Sequence, residues 1–253
     1  MAKSGWPWFV RLALALVAVI GMTGQPSKAQ VPDKFTNLKV LPKDITKQQL
    51  VSIMRGFSFA LGERCEYCHA DKPEGQKSER DFASDEKAPK KTARLMLEMV
   101  AGINRDYLAK LSRTPAVEAQ CVTCHHGLAK PRTLNSLLAE TIEQKGLDAA
   151  IAQYRELRQS YYGGAQYDFG ETPMNLLTES LLAQKKTKEA VAVMELSLEA
   201  NHFDSVWSYH MLAMAHQANG QTDKALTDYR KVVELHPDDD WAKQQIASLS
   251  EKK

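Results

Sequence analysis

Cysteine is scarce in this chain of 253 residues. There are four, and all of them fall inside two five-residue stretches, so none is left over for a disulfide framework elsewhere. No charge of one sign dominates: 33 basic residues face 31 acidic ones, for a formal net charge of +2. Without a strong basic field, the composition argues against a nucleic-acid partner. Long apolar runs are missing too. Leu12 to Met22 is almost wholly apolar, but eleven residues fall short of the roughly 20 that a bilayer-crossing helix needs. No cysteine follows that run, which excludes lipid attachment there. The remainder, 43% apolar and 25% charged, is ordinary for a soluble globular protein. The length suits one large domain or two modest ones.

The two cysteine-bearing stretches are Cys65-Glu66-Tyr67-Cys68-His69 and Cys121-Val122-Thr123-Cys124-His125. Each reads C-x-x-C-H, the attachment pattern of a c-type haem. Two thiols add to the vinyl groups of one haem, and the adjacent histidine ligates the iron from one side. A short helical turn presents all three side chains to the same haem face. Zinc held by two C-x-x-C pairs or two disulfides would use the cysteines, but neither accounts for a histidine after each pair. The pattern therefore predicts two covalently attached c-type haems, held by Cys65, Cys68, Cys121 and Cys124, with His69 and His125 on the irons.

The start of the chain has the layout of a secretory signal peptide: Lys3 and Arg11, the short apolar core, then Ser27-Lys28-Ala29 with small residues flanking the cleavage point. Removing residues 1–29 takes away three basic residues and no acid, leaving 30 basic and 31 acidic. An exported, periplasmic protein is expected, which suits thiols that must be joined to haem outside the cytoplasm. Retention of the segment as a membrane anchor is the other reading of the same residues.

From Lys47 to about Gly62 the pattern is helical. Leu50, Met54, Phe57 and Leu61 fall on one stripe, Asp44 or Thr46 caps the start, and Gly62 ends it. Met54 stands 11 residues before Cys65, where a helix doubling back would place a thioether opposite His69. It serves equally as a core methionine against the porphyrin edge. Residues 70 to 91 are charged and read as a solvated loop. Pro89 then opens a second helix, with Ser84 or Asp85 near its cap, running to about Leu111. Its apolar face carries Ala93, Met96, Met99, Val100, Ile103, Tyr107 and Leu111. Met96 or Met99 can serve opposite His125. His126 follows His125 too closely to reach the far side of the same ring.

The runs Asn37 to Pro42, Met54-Arg55-Gly56-Phe57, Phe82 to Asp85, Ala93 to Met99 and Ile103-Asn104, together with both haem motifs and His126-Gly127, resemble the cytochrome c subunit family of bacterial photosynthetic reaction centres. The resemblance covers about residues 36 to 132. It implies that each haem segment is a helix bearing the axial methionine, a turn, and the C-x-x-C-H helix. On that pattern Met54 and Met99 are the sixth ligands. The family's subunit carries four haems in two pairs, so this chain is similar to one half of it. A periplasmic electron carrier is implied, its redox partner a reaction centre or another membrane electron-transfer complex.

Beyond about residue 136 the chain reads as helices throughout. Ala150, Ala190 and Ala225 align as an internal repeat. Each is followed by Ile151, Val191 or Leu226, then four positions on by Tyr154, Met194 or Tyr229, and is preceded by Leu137, Leu177 or Leu212. The last two units lie 35 residues apart, close to the tetratricopeptide period of 34 that they resemble. Trp241 to Leu249 forms a capping helix. The histidines here, His202, His210, His216 and His236, read as ordinary repeat residues.

The expected architecture is mainly α: a signal peptide over 1–29, a dihaem cytochrome c domain over 30–135, and a repeat array over 136–253 for docking a protein partner. One-electron transfer, not catalysis, is the expected function. A dihaem peroxidase and a haem-stabilised assembly scaffold are the rival readings.

Overall fold

The computed structural model describes residues 31–72, 80–202 and 204–251. The expected signal segment, residues 1–29, lies outside the described residues. Among those described there are eleven α-helices and one two-stranded antiparallel sheet, and no helix is long and apolar enough to cross a membrane. The mainly α architecture holds.

The first part is built from short pieces. Helix α1 spans Lys47–Leu61. Thr46 caps it: its hydroxyl accepts from the Gln49 N–H at 3.3 Å while the Gln49 side chain accepts from the Thr46 N–H at 3.0 Å, a reciprocal capping box. Gly62 terminates it at φ 68°, a left-handed conformation that glycine adopts without a Cβ penalty. Helix α2, Cys65–Cys68, follows at once.

The expected loop over 70–91 is more structured than its charge suggests. Strand β1, Ala70–Asp71, pairs antiparallel with β2, Arg80–Asp81. Helix α3 is Ala88–Gly102, with Pro89 in its first turn but Lys87 at its cap. Ser84 and Asp85 do not cap it, because their side chains are engaged elsewhere. The helical path widens into a single π turn, Ile103–Tyr107, and tightens into a 3-10 turn, Leu108–Leu111, so it ends where the apolar stripe ends. Helix α4 is Cys121–His125.

The array then begins. Helix α5 (Leu134–Lys145) packs with α6 (Leu147–Tyr161), α7 (Glu171–Ala183) with α8 (Thr187–Asn201), and α9 (Val206–Ala218) with α10 (Thr222–Leu235); α11 (Asp240–Glu251) closes the end. Successive pairs stack through α5 on α7, α7 on α9 and α8 on α9, the arrangement of a helical-repeat solenoid. Ala150, Ala190 and Ala225 are buried, as are Tyr154, Met194 and Tyr229. Small residues at those three positions let paired helices approach closely. In the first unit the buried leucines are Leu134 and Leu138, while Leu137 is only half-buried, one residue off the register of Leu177 and Leu212. Every hydrophobic core cluster among the described residues lies at or beyond Leu134.

Candidate haem-binding centres

Around the first motif the structure forms a cavity of 310 Å³. Cys65, Cys68 and His69 line it together with Met54 and Leu61 from α1 and Leu97 from α3. The stripe on α1 thus faces the motif that follows it, because Gly62 turns the chain back on itself. His69 packs edge-on against Phe82, with ring centroids 5.1 Å apart, and its Nδ1 is buried with no hydrogen-bond partner among the described residues. Burial pushes the His69 pKa down to about 4, helped by the nearby Lys90 and Arg80 charges. A neutral imidazole with a lone pair to give is what an iron ligand must be. Burial, with Glu63 beside it, pushes the Cys68 thiol upward.

One wall of that cavity is held by a polar cluster with little local signature. The Asp85 carboxylate takes Lys39 Nζ at 2.6 Å, Arg94 at 2.8 Å and Lys90 Nζ at 3.4 Å. The Asn37 amide donates to it at 2.8 Å and also to the Ala83 carbonyl. Lys90, largely buried, donates to the carbonyls of Phe82, Ala83 and Ser84 at 2.9, 3.0 and 2.7 Å. The cluster ties the lead segment and the residues after β2 onto α3. Arg94 and Lys39 hold the Asp85 carboxyl well below the usual range. Three cations around one carboxylate leave a surplus of positive charge at a cavity they all line, and a haem carries carboxylates that such groups accommodate. The residues present fit a haem at this site.

The second motif is arranged differently. His125 Nδ1 lies 2.7 Å from the Leu128 carbonyl. A carbonyl only accepts, so Nδ1 carries the proton and Nε2 keeps the free lone pair. This is the orientation that fixes a metal-binding histidine. His126 is exposed, in a left-handed conformation at φ 50°. On α3, Leu95, Met96 and Met99 are 63%, 37% and 47% exposed, a run of apolar and thioether side chains suited to a haem face. The α4 helix is anchored to α1: Gly127 N–H donates to the Ala60 carbonyl at 2.9 Å, and a Cβ on Gly62 would stand 2.2 Å from the Gly127 oxygen. Only glycine lets these backbones meet, so the two haem segments share one joint.

The four thiols are unpaired. Among the described residues no group of three or more His, Cys, Asp or Glu side chains gathers to hold a metal ion. In the array, His210 Nε2 meets Asp239 at 2.7 Å and His216 Nδ1 meets Asp228 at 2.6 Å. Both histidines are committed to carboxylates of neighbouring elements. Sequence reasoning missed the roles of Asp85 and Lys90 and the Gly62–Gly127 joint; Asn37 and Lys39 lie 48 and 46 residues from Asp85, and Lys90 donates to backbone carbonyls, which leave no side-chain pattern to read.

The family described as photosynthetic reaction centre cytochrome c subunit matches residues 15–196, and a tetratricopeptide repeat family matches residues 206–249. Cytochrome c-554 of Chloroflexus aurantiacus is 32% identical over 119 residues, which cover 47% of this chain. The matched region spans 26% of that relative's length. Among solved structures, the first TPR of Spaghetti (RPAP3) bound to an HSP90 peptide covers 47% of this chain and 91% of its own, at 19% identity and a TM-score of 0.33. The second TPR domain of human RPAP3 in complex with an HSP70 peptide covers 46% of this chain and 92% of its own, at 14% identity and the same score. With the family match extending over more than half its length, the chain belongs to the photosynthetic reaction centre cytochrome c subunit family, and so among the c-type cytochromes.

Proposed function

We propose that this protein is an exported dihaem cytochrome that passes single electrons between redox proteins. Residues 30–135 form the haem-bearing domain, and residues 136–253 form a docking array. Cys65 and Cys68 hold one haem and Cys121 and Cys124 the other, with His69 and His125 as proximal ligands. Met54 and Met99 are the sixth ligands. The observation that carries the reading is the cavity at the first motif, lined at once by both cysteines, His69 and Met54. Each bound haem supplies a ferric–ferrous couple.

The chain's own residues do the rest. With haem bound, Met54 and Met99 would supply soft thioether ligands, which would favour the ferrous state and raise the potential. The apolar side chains of α1 and α3 keep water from the ring. The α3 helix separates the two sites. Leu97 lines the first cavity, and Met99 follows it by two residues, about 200° around the helix axis, on the face turned away from that cavity. Met96 sits only about 100° from Leu97, which supports Met99 as the ligand of the second site. No side chain in this scheme performs acid–base chemistry.

The array gives the protein its partner surface. Residues 30–135 carry 18 basic and 13 acidic residues, whereas residues 136–253 carry 12 and 18. An acidic array suits a partner with a basic face, and it would steer association at low salt. The periplasmic side of a membrane electron-transfer complex is the proposed setting.

An optical redox titration of the exported holoprotein, repeated with carbon monoxide and with peroxide, tests the reading. Two low-spin haems that ignore both ligands are expected. A haem that binds carbon monoxide and consumes peroxide would make the protein a peroxidase instead.

A further inference from the structure

The π turn after α3 is the least regular helical element of the molecule, and it carries one side chain with a defined task. Leu108 N–H is shared between the Asn104 and Ile103 carbonyls, four and five residues back, and the longer of these bonds is the one that widens the turn. Such turns re-aim the residues within them. Asn104, half-buried in this turn, donates from Nδ2 to the Ala119 carbonyl at 2.9 Å. Its Oδ1 accepts from the Ala119 N–H at 2.7 Å. One amide side chain thus satisfies both backbone groups of a single residue, as a neighbouring strand would.

The position of that clamp is what matters. Asn104 is five residues after Met99, and Ala119 is two residues before Cys121. Residues 111–120 are otherwise exposed, Ala119 apart, so they have no packing of their own to hold them. In α4, Gln120 N–H donates to the Thr123 hydroxyl at 3.0 Å, which continues the ordered path from Ala119 into the motif. Among element pairs in substantial contact, α3 packs on the π turn and on α2, and α4 packs on α1. The Asn104 amide is therefore the short connection between the methionine-bearing helix and the second C-x-x-C-H turn.

We infer that Asn104 is a positioning residue for the second haem: it holds the end of α3 against the segment entering Cys121, so that Met99 and His125 address the same iron. This rests on the dihaem reading above and extends it to a residue that touches no haem. The two thioether bonds at Cys121 and Cys124 do not depend on Asn104, so its loss should free the sixth position without releasing the haem.

The test uses the exported holoprotein carrying Asn104→Ala and, separately, Asn104→Asp. The aspartate keeps the acceptor for the Ala119 N–H and loses the donor to its carbonyl. In wild type, both haems should show the far-red charge-transfer band of methionine-bound ferric iron, and the ferrous protein should ignore carbon monoxide. In Asn104→Ala, half of that band should vanish, one haem per chain should bind carbon monoxide, and amide exchange at Ala119 should rise at least tenfold. Asn104→Asp should fall between. Both variants should retain two haems by mass. If wild type itself lacks two methionine-bound haems, the dihaem reading fails. If wild type has them and Asn104→Ala keeps both, with Ala119 still protected, the positioning role is overturned and the reading stands.

Discussion

Residues 31–133 and residues 134–251 keep their apolar side chains in opposite ways. Among the described residues the first part buries three, Leu50, Ala60 and Ala70, while the array buries twenty-four. The first part also leaves Phe59, Leu95, Met96, Met99, Tyr107, Leu111 and Val117 exposed. Ordering a residue costs about 1–2 kcal/mol of backbone entropy, and three small burials cannot offset that over a hundred residues. The array folds around its own side chains. The first part arranges its side chains around two C-x-x-C-H motifs, where the two proposed haems would supply the apolar core that it lacks.

The most direct way to break this contrast is to remove a haem. In Cys121→Ser/Cys124→Ser, amide protection over residues 88–107 should collapse while that over residues 134–251 stays intact. Hydrogen exchange read by mass spectrometry checks both halves in one experiment. Loss of protection in both halves would show that the array does not fold on its own core.

The reverse experiment cuts into the array. Met194 is fully buried, and Met194→Ala should cost about 3 kcal/mol through lost transfer energy and the cavity left behind. The urea midpoint followed by far-ultraviolet circular dichroism should drop, with the haem spectrum unchanged. A smaller effect belongs to the joint. Gly62→Ala places a side chain in a left-handed conformation, at about 1–2 kcal/mol, and drives its Cβ into the Gly127 carbonyl. Destabilisation should appear in the haem-bearing part only, read from the denaturant dependence of the haem absorbance.

Acid gives the finest distinction. The Asp85 carboxyl is held below its ordinary 3.8 by Arg94 and Lys39. Its contribution is present above about pH 4 and is lost as pH falls towards its folded value. Burial pushes Asp228 above 3.8, so its contribution runs the other way, present at low pH and lost as pH rises through its raised value. Between pH 5 and 2, Asp85→Asn should flatten the acid sensitivity of the haem absorbance and leave that of the array untouched.

Much of this organisation is legible locally. The α1 stripe, the Gly62 stop, the repeat alanines and the two haem motifs each show within a window of a few turns. What escaped reading is non-local and polar. The Asn37–Asp85 and Lys39–Asp85 contacts link residues 48 and 46 apart in sequence, and no periodicity announces them. Asp85 looked like a helix cap because Asp is a good one, but three cations claim it first. The β1–β2 pairing is two residues on each side, too short to carry an alternating pattern. Asn104 stood in a recognisable run without a role, since its partner is a backbone amide fifteen residues on.

The central claim, that the first part is organised around two covalently held haems, is tested most directly by the intact mass of the exported chain under denaturing conditions. Thioether-bound haem survives unfolding. The account predicts the polypeptide plus two haems, falling to one when either cysteine pair is replaced. A mass showing one haem or none in the unaltered chain would contradict it.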